Sequence, residues 1–339
     1  MSTYEASTSE VVIGKDPETS RRPAAARHRL GSVLRIVNSQ CIAMRAYVRK
    51  TRDWGPLAIL RRCAVVSRLV FYHPVSFFKV IDALAASKFA SLVRKDPIIF
   101  LKFSWPIYSN GLSTADRAVL FSTHYEFLHR RIAQPFLNKL IGGRAILWEK
   151  PVGSSNLSVC LDIAPPTYGE GELSLHFQVN SVDVYVLSFV IAPARVLGLD
   201  ADHAIFITRL QGIKGYADSI KLATKSVGDV SPTLVLMAAV QGIALALGIR
   251  HVLGISAKEQ VCTEDKPPTQ DFISAYDEFW DSIEGKRLAT GYFHFPVPLP
   301  EKPLSLIKQN HRLRVRARRL FRSDVSERVR RELEATRVA

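Results

Sequence analysis

The chain has 339 residues, 47% hydrophobic and 23% charged, enough apolar side chain to bury a sizeable core and too much for a disordered chain. Its formal net charge of +15 favours anionic partners: nucleic acid, acidic lipid or a phosphorylated cofactor. Cys41, Cys63, Cys160 and Cys262 stand far apart with no CxxC pair, a spacing that suggests neither a zinc site nor a disulfide framework.

The first 30 residues are polar and lack the apolar run of a secretory signal, so they read as a disordered tail. Residues 31–140 read as a helical, basic region. Val33, Val37, Cys41, Met44 and Val48 recur at spacings of three or four, the period of a helix with one inward stripe. Pro56 and Pro74 stand where helices can start. Between Arg35 and Lys95 there are 12 Lys or Arg against Asp53 and Asp82. The basic residues are interspersed, as on solvated helix faces; the functional reading is a surface that meets acidic lipid or nucleic acid.

Ser113 to Ile132 is a predicted helix, opened by Ser113 and Asp116 in capping-box spacing. His124 and Glu126 lie two residues apart within it, so they point in different directions and do not form one acid–base pair.

Near Ala145 the period changes to two, which opens a mixed α/β core over residues 141–303. Leu157, Val159, Leu161 and Ile163 alternate on one strand, and Leu173, Leu175, Phe177 and Val179 on the next. Asn180-Ser181 is hairpin chemistry before the strand VDVYVLSFVIA. Ala204 to Arg209 continues this antiparallel meander. The turn that follows, Gln211-Gly212-x-x-Gly215 with Lys214, sits at the carboxyl end of a predicted strand, where exposed N–H groups can hold phosphate. It matches neither GxGxxG nor GxxxxGK[ST]. Asp218 to Ser226 reads as a short helix.

Val230 to Ile249 carries no charge over 20 residues, long enough to span a membrane. Its Ser, Pro, Thr, Gln and Gly content, and the strands on either side, favour a buried crossover helix. Ser231 as N-cap and Pro232 at the first position fix its start. His251 to Ser256 is then a second, parallel strand. Asp271 to Ile283 is an aromatic and acidic helix with Phe272, Tyr276 and Phe279 or Trp280 inward, and GYFHFPVPLP a last strand. Residues 304–339 form a basic helical segment: Lys308 to Arg331 carries ten Lys or Arg against Asp324 and Glu327 and is expected to supply charge rather than core.

Several of these stretches resemble the VirK/YbjX family of Gram-negative bacteria. They are HYEFL at His124 to Leu128, GEGELSL at Gly169 to Leu175, ITRLQG, ATK at Ala223 to Lys225, the apolar helix ending in LGI, YDEFW at Tyr276 to Trp280, and LP before the arginine-rich tail. The resemblance spans about residues 35–335. It implies a cytoplasmic or inner-face protein linked to virulence, envelope stress or resistance to antimicrobial peptides, and supplies no catalytic residues.

The order of elements is also similar to the second part of a Gcn5-related N-acetyltransferase, in which an acyl-coenzyme A pyrophosphate sits at a helix N-terminus. That likeness implies cofactor contacts at Gln211, Gly212, Lys214, Gly215 and Ser231, with Tyr276 or Glu278 as acid or base. The interval from Gly215 to Ser231 departs from that family's compact loop. Three functions follow: an acyl-transferase-like enzyme using an acyl-coenzyme A; a regulatory protein docking to the inner membrane face or a partner through basic helices; and a nucleic-acid binder. The last two rest on Lys308, Arg312, Arg314, Arg316, Arg318 and Arg319. Phe321 is the one aromatic of that segment, and no base-reading motif accompanies it.

Overall fold

The alternating apolar runs pair into one eight-stranded sheet. The computed structural model describes residues 71–85, 87–164, 170–263 and 267–338, with Leu60, Ala64, Ser67 and Arg68. The expected N-terminal tail and the stripe from Val33 to Val48 lie outside the described residues. The strands are β1 (Ala145–Val152), β2 (Ser155–Ile163), β3 (Leu173–Val179), β4 (Val182–Pro193), β5 (His203–Gly212), β6 (His251–Gly254), β7 (Lys286–Arg287) and β8 (Phe293–Pro296), in the order β1-β2-β3-β4-β5-β6-β8-β7.

β1 to β5 form the antiparallel meander. Leu157, Val159, Leu161 and Ile163 lie opposite Val179, Phe177, Leu175 and Leu173, so the period-2 residues of both strands share one face. Asn180 and Ser181 both take positive φ, the backbone a tight hairpin needs. β5 and β6 are parallel, and β6–β8 and β7–β8 antiparallel. The two-residue β7 carries no apolar run and was not visible as a strand.

The N-terminal region is helical. It comprises α1 (Pro74–Ala85), α2 (Ala90–Lys95), a 3-10 stretch (Pro97–Ser104), α3 (Thr114–Arg131) and α4 (Gln134–Gly142). Ser113 and Asp116 form the complete capping box at the start of α3. α3 packs on β4. β4 outruns β3, so Ile191 N–H has no strand partner on that side, and His124 Nδ1 accepts it at 3.0 Å.

α5 (Ala217–Ser226) follows β5, and α6 (Pro232–Leu247) is the crossover to β6. Ser231 caps α6 and Gly248 ends it with φ at 72°. Most of α6 is buried on all sides, which accounts for its missing charges. Among the described residues no helix is long and apolar enough to cross a membrane.

α7 begins with Gln270–Ile273, passes through a π turn at Ser274–Glu278 and ends with Phe279–Ser282. α8 (Gln309–Glu334) differs from expectation. Its second half buries Val325, Val329 and Leu333 against α6, where Gly242 lets the two backbones meet. Leu313, Leu320, Val325 and Val329 make the segment weakly amphipathic in the sequence, but its ten basic residues read as a charged tail and not as a docked helix. One apolar cluster runs from Phe77 in α1 to Leu333 in α8.

Candidate functional site

β5 and β6 share three register pairs, the last being Ile207 with Gly254. Thr208 is an extra residue between Ile207 and Arg209, which pair with Phe189 and Ser188, so β5 bulges where it leaves β6. Beyond the bulge the backbone needs other partners. Gln260 Nε2 donates to Thr208 O at 2.9 Å, and Leu210 N donates to Tyr276 Oη at 3.2 Å. Trp280 lies on Gly254, where a Cβ would come within 2.6 Å of the indole, and its Nε1 donates to Ile255 O at 2.7 Å. The gap between the parallel strands is therefore filled by the chain's own Gln260, Tyr276 and Trp280.

A polar group surrounds this filled gap. Arg209 pairs with Glu170 at 2.8 Å, and burial pushes the Glu170 carboxyl up against the pull of that guanidinium. Burial raises the Tyr276 phenol well above its ordinary value, although Leu210 N and the Gln211 side chain hydrogen-bond to it. A phenol held so high stays protonated and does not serve as a base near neutral pH. Beyond the π turn a cavity of about 690 Å³ opens between Gly111, Glu259, Pro268 and Asp277. Its carboxylates already hold the loops: Asp277 accepts from Ala257 N at 2.7 Å, and Glu259 from Gly111 N at 2.8 Å.

The structure brings Gln211 and Tyr276 together. Glu278, two residues on, is exposed and accepts from Ser274 Oγ at 2.8 Å. Gly212 is the last residue of β5, with Tyr185 and Ile220 each 3.3 Å from where its Cβ would stand. Lys214 and Gly215 form an exposed turn, in which Gly215 has φ at 94°. Ser231 Oγ accepts from Leu234 N of its own helix, and α5 occupies the interval between Gly215 and Ser231. In the sequence Glu170 reads as a loop residue and Asp277 as part of a polar helix face, and Arg209 and Gln260 carry no assigned role. An arginine inside the apolar run of β5 is the available signal, because a half-buried guanidinium calls for a partner.

Two motifs of the family resemblance meet at a second, fully buried cluster. Lys102 and Glu172 pair at 2.9 Å with both side chains 1% exposed. Tyr108 and Tyr125 donate to the two oxygens of Glu172 at 2.6 and 2.7 Å. Beside them, burial and then the Lys102 charge hold His124 down at about 3, so it is neutral. Its geometry is that of a staple between the helical layer and the sheet. On β2–β4, His176 Nδ1 lies 2.9 Å from Asp183, and Cys160 is its cross-strand neighbour. Burial pushes the Cys160 thiol up, which opposes a thiolate nucleophile there. Among the described residues no group of three or more His, Cys, Asp or Glu is placed to hold a metal ion.

The remaining feature is the first half of α8. Leu313 and Leu320, two turns apart on one face, are 83% and 64% exposed, and Leu306 before the helix is 66% exposed. Lys308, Arg312, Arg314 and Arg316 are exposed around them. Arg318 pairs with Asp229 at 3.0 Å and Arg319 with Glu301 at 3.1 Å, which anchors this half of the helix to the body.

A family model described as "Protein of unknown function (DUF535)" matches residues 59–331. No curated protein and no solved structure matches the chain.

Proposed function

The chain belongs to the DUF535 family, and from that premise we propose that it docks on an anionic membrane surface through the first half of α8. The observation that carries this reading is the exposure of Leu306, Leu313 and Leu320 among Lys308, Arg312, Arg314 and Arg316. Two large apolar side chains left in water on a cationic helix, with a third just before it, fit an interfacial helix, with leucine in the acyl boundary and arginine at the headgroups. Each basic residue near such a surface contributes about 1 kcal/mol. DUF535 contains the VirK/YbjX proteins. The link of that group to the envelope and to antimicrobial peptides supports a membrane-facing role. The test is co-sedimentation of the full chain with phosphatidylglycerol and phosphatidylcholine vesicles. Binding should be confined to the anionic vesicles, and Leu313→Asp with Leu320→Asp should weaken it about tenfold or more. Equal binding to neutral vesicles, or binding to random DNA that alone responds when Arg312, Arg314 and Arg316 are replaced with Gln, would overturn the reading.

A second reading, the acyl-transferase-like enzyme, is favoured by a separate observation. The chain orders an antiparallel meander, a bulged strand, a crossover helix and a parallel strand, with Gln211 and Tyr276 where the two parallel strands part. An acyl-coenzyme A that binds the native state raises its melting temperature by mass action. Gln211→Leu should remove that shift, and acetyl-, succinyl- and long-chain acyl-coenzyme A all giving none would eliminate this reading.

A further inference from the structure

The docking helix borders a groove that the docking reading does not use. It lies between α6, the exit segment after β8 and α8, and encloses about 400 Å³, within the range of small-molecule sites. Its floor is apolar: Leu234, Met237, Ala238, Ile283 and Leu299 line it. The polar side chain on that floor, Gln241, is already engaged, accepting from Leu299 N at 2.7 Å and donating to Ser326 Oγ at 3.2 Å. The floor thus offers a ligand chiefly apolar contact.

The mouth has the opposite chemistry. Arg316, Arg319 and Arg322 line it together with one carboxylate, Glu301. Arg319 and Arg322 both hold Glu301, at 3.1 and 2.8 Å, and Arg322 Nε is buried without a hydrogen-bond partner. Arg316 is exposed and unpaired among the described residues. Three guanidinium groups against one carboxylate leave the mouth cationic. Leu320 lines the groove and also stands on the exposed face of α8, so that face leads into the groove.

We infer that the groove takes one acyl chain of an anionic membrane phospholipid, with the phosphate at Arg316 and Arg319. The inference rests on the docking reading, and deepens it from contact with a surface to capture of a single lipid. An apolar floor with a cationic rim matches the two ends of such a lipid. The pairing of the rim arginines on Glu301 shows that the rim already accommodates an oxyanion.

The full chain is incubated with phosphatidylglycerol vesicles, separated from them by gel filtration, and assayed for retained lipid by mass spectrometry. The wild type should retain phosphatidylglycerol and not phosphatidylcholine. Ala238→Phe, which fills the floor, should reduce retained lipid about tenfold while vesicle co-sedimentation persists. Arg316→Glu changes an exposed side chain, so it tests the rim even if Ala238→Phe fails to fold, and it should reduce retention to a similar degree. Retention unchanged in both variants, equal retention of phosphatidylcholine, or none by a wild type that still binds vesicles overturns the inference. Soluble dihexanoyl-phosphatidylglycerol separates the two readings. If it binds the wild type and not Arg316→Glu while vesicles fail to bind, the groove stands and the docking surface falls.

Discussion

At the scale of single residues, the buried cluster at Glu172 fixes more than any exposed pair. Lys102 and Glu172 are both withdrawn from water, and the two tyrosines complete the carboxylate's hydrogen bonds. Removing one partner leaves the other charge buried alone, a cost of about 3–5 kcal/mol. Glu172→Gln should therefore lower the melting temperature sharply. Lys102→Met combined with Glu172→Gln should recover much of the loss, because no uncompensated charge then remains; thermal denaturation of the single and double variants checks this. His124 supplies a pH dependence of defined sign. Its folded-state pKa of about 3 lies below the ordinary 6.5, so the unfolded chain binds the extra proton between those values. Its contribution to stability is complete above pH 6.5 and is lost as pH falls toward 3. From pH 7 to pH 5 the loss is about 2 kcal/mol. His124→Gln, whose amide oxygen can still accept Ile191 N–H, should flatten that part of the profile in urea unfolding. His203 and His294, both also held low chiefly by burial, leave a residual slope of the same sign.

At the scale of elements, α6 and α8 meet where side chains are smallest. A Cβ at Gly242 would overlap Ser326 O, a backbone atom that cannot turn aside. In an exposed helix Gly→Ala gains about 1 kcal/mol. Here Gly242→Ala should instead cost about 1–3 kcal/mol by forcing the helices apart, read as a lower urea midpoint. Gly215→Ala meets no atom within 4 Å and acts only through its positive φ, so its cost should be smaller. Elements defined by local chemistry were legible in the sequence. Ser113 with Asp116, Asn180-Ser181 and Ser231-Pro232 each announced a boundary that the structure contains. The π turn at Ser274–Glu278 was not, since no residue type marks an extra residue in a helical turn. The apolar spacing sets Tyr276 inward and Glu278 on the polar face, and both stand so, whereas Asp277, on the same polar face, turns back to accept from Ala257 N. Gln260 on Thr208 and Arg209 on Glu170 join residues far apart in the chain, and periodicity carries no information about such pairs.

At the scale of the whole molecule, charge and core separate along α8 itself. Its second half closes the core at Val325, Val329 and Leu333, and its first half presents arginine and leucine to solvent. Replacing Arg312, Arg314 and Arg316 with Gln should leave stability within about 1 kcal/mol, as for other solvated charges. Vesicle binding by the same variant should fall, and wild-type binding should weaken as salt rises from about 0.1 M to about 1 M. A variant that unfolds would show that the exposed half is part of the fold. Extending the substitutions to Arg318 and Arg319 should cost more, because those two hold Asp229 and Glu301. Composition announced the net charge, but the arrangement that makes it useful depends on which face of α8 is docked.

The pairing of Lys102 with Glu172 also has a consequence for how the protein is made. At about 5–20 residues per second, the ribosome needs about 4–14 s to move from codon 102 to codon 172. Through that interval the lysine has no carboxylate to meet, and Phe100, Phe103 and Phe121 have no sheet to pack on. The N-terminal helical layer therefore exposes apolar surface until the sheet is made. Expressed alone as residues 71–142, it should be recovered insoluble or bound to a chaperone.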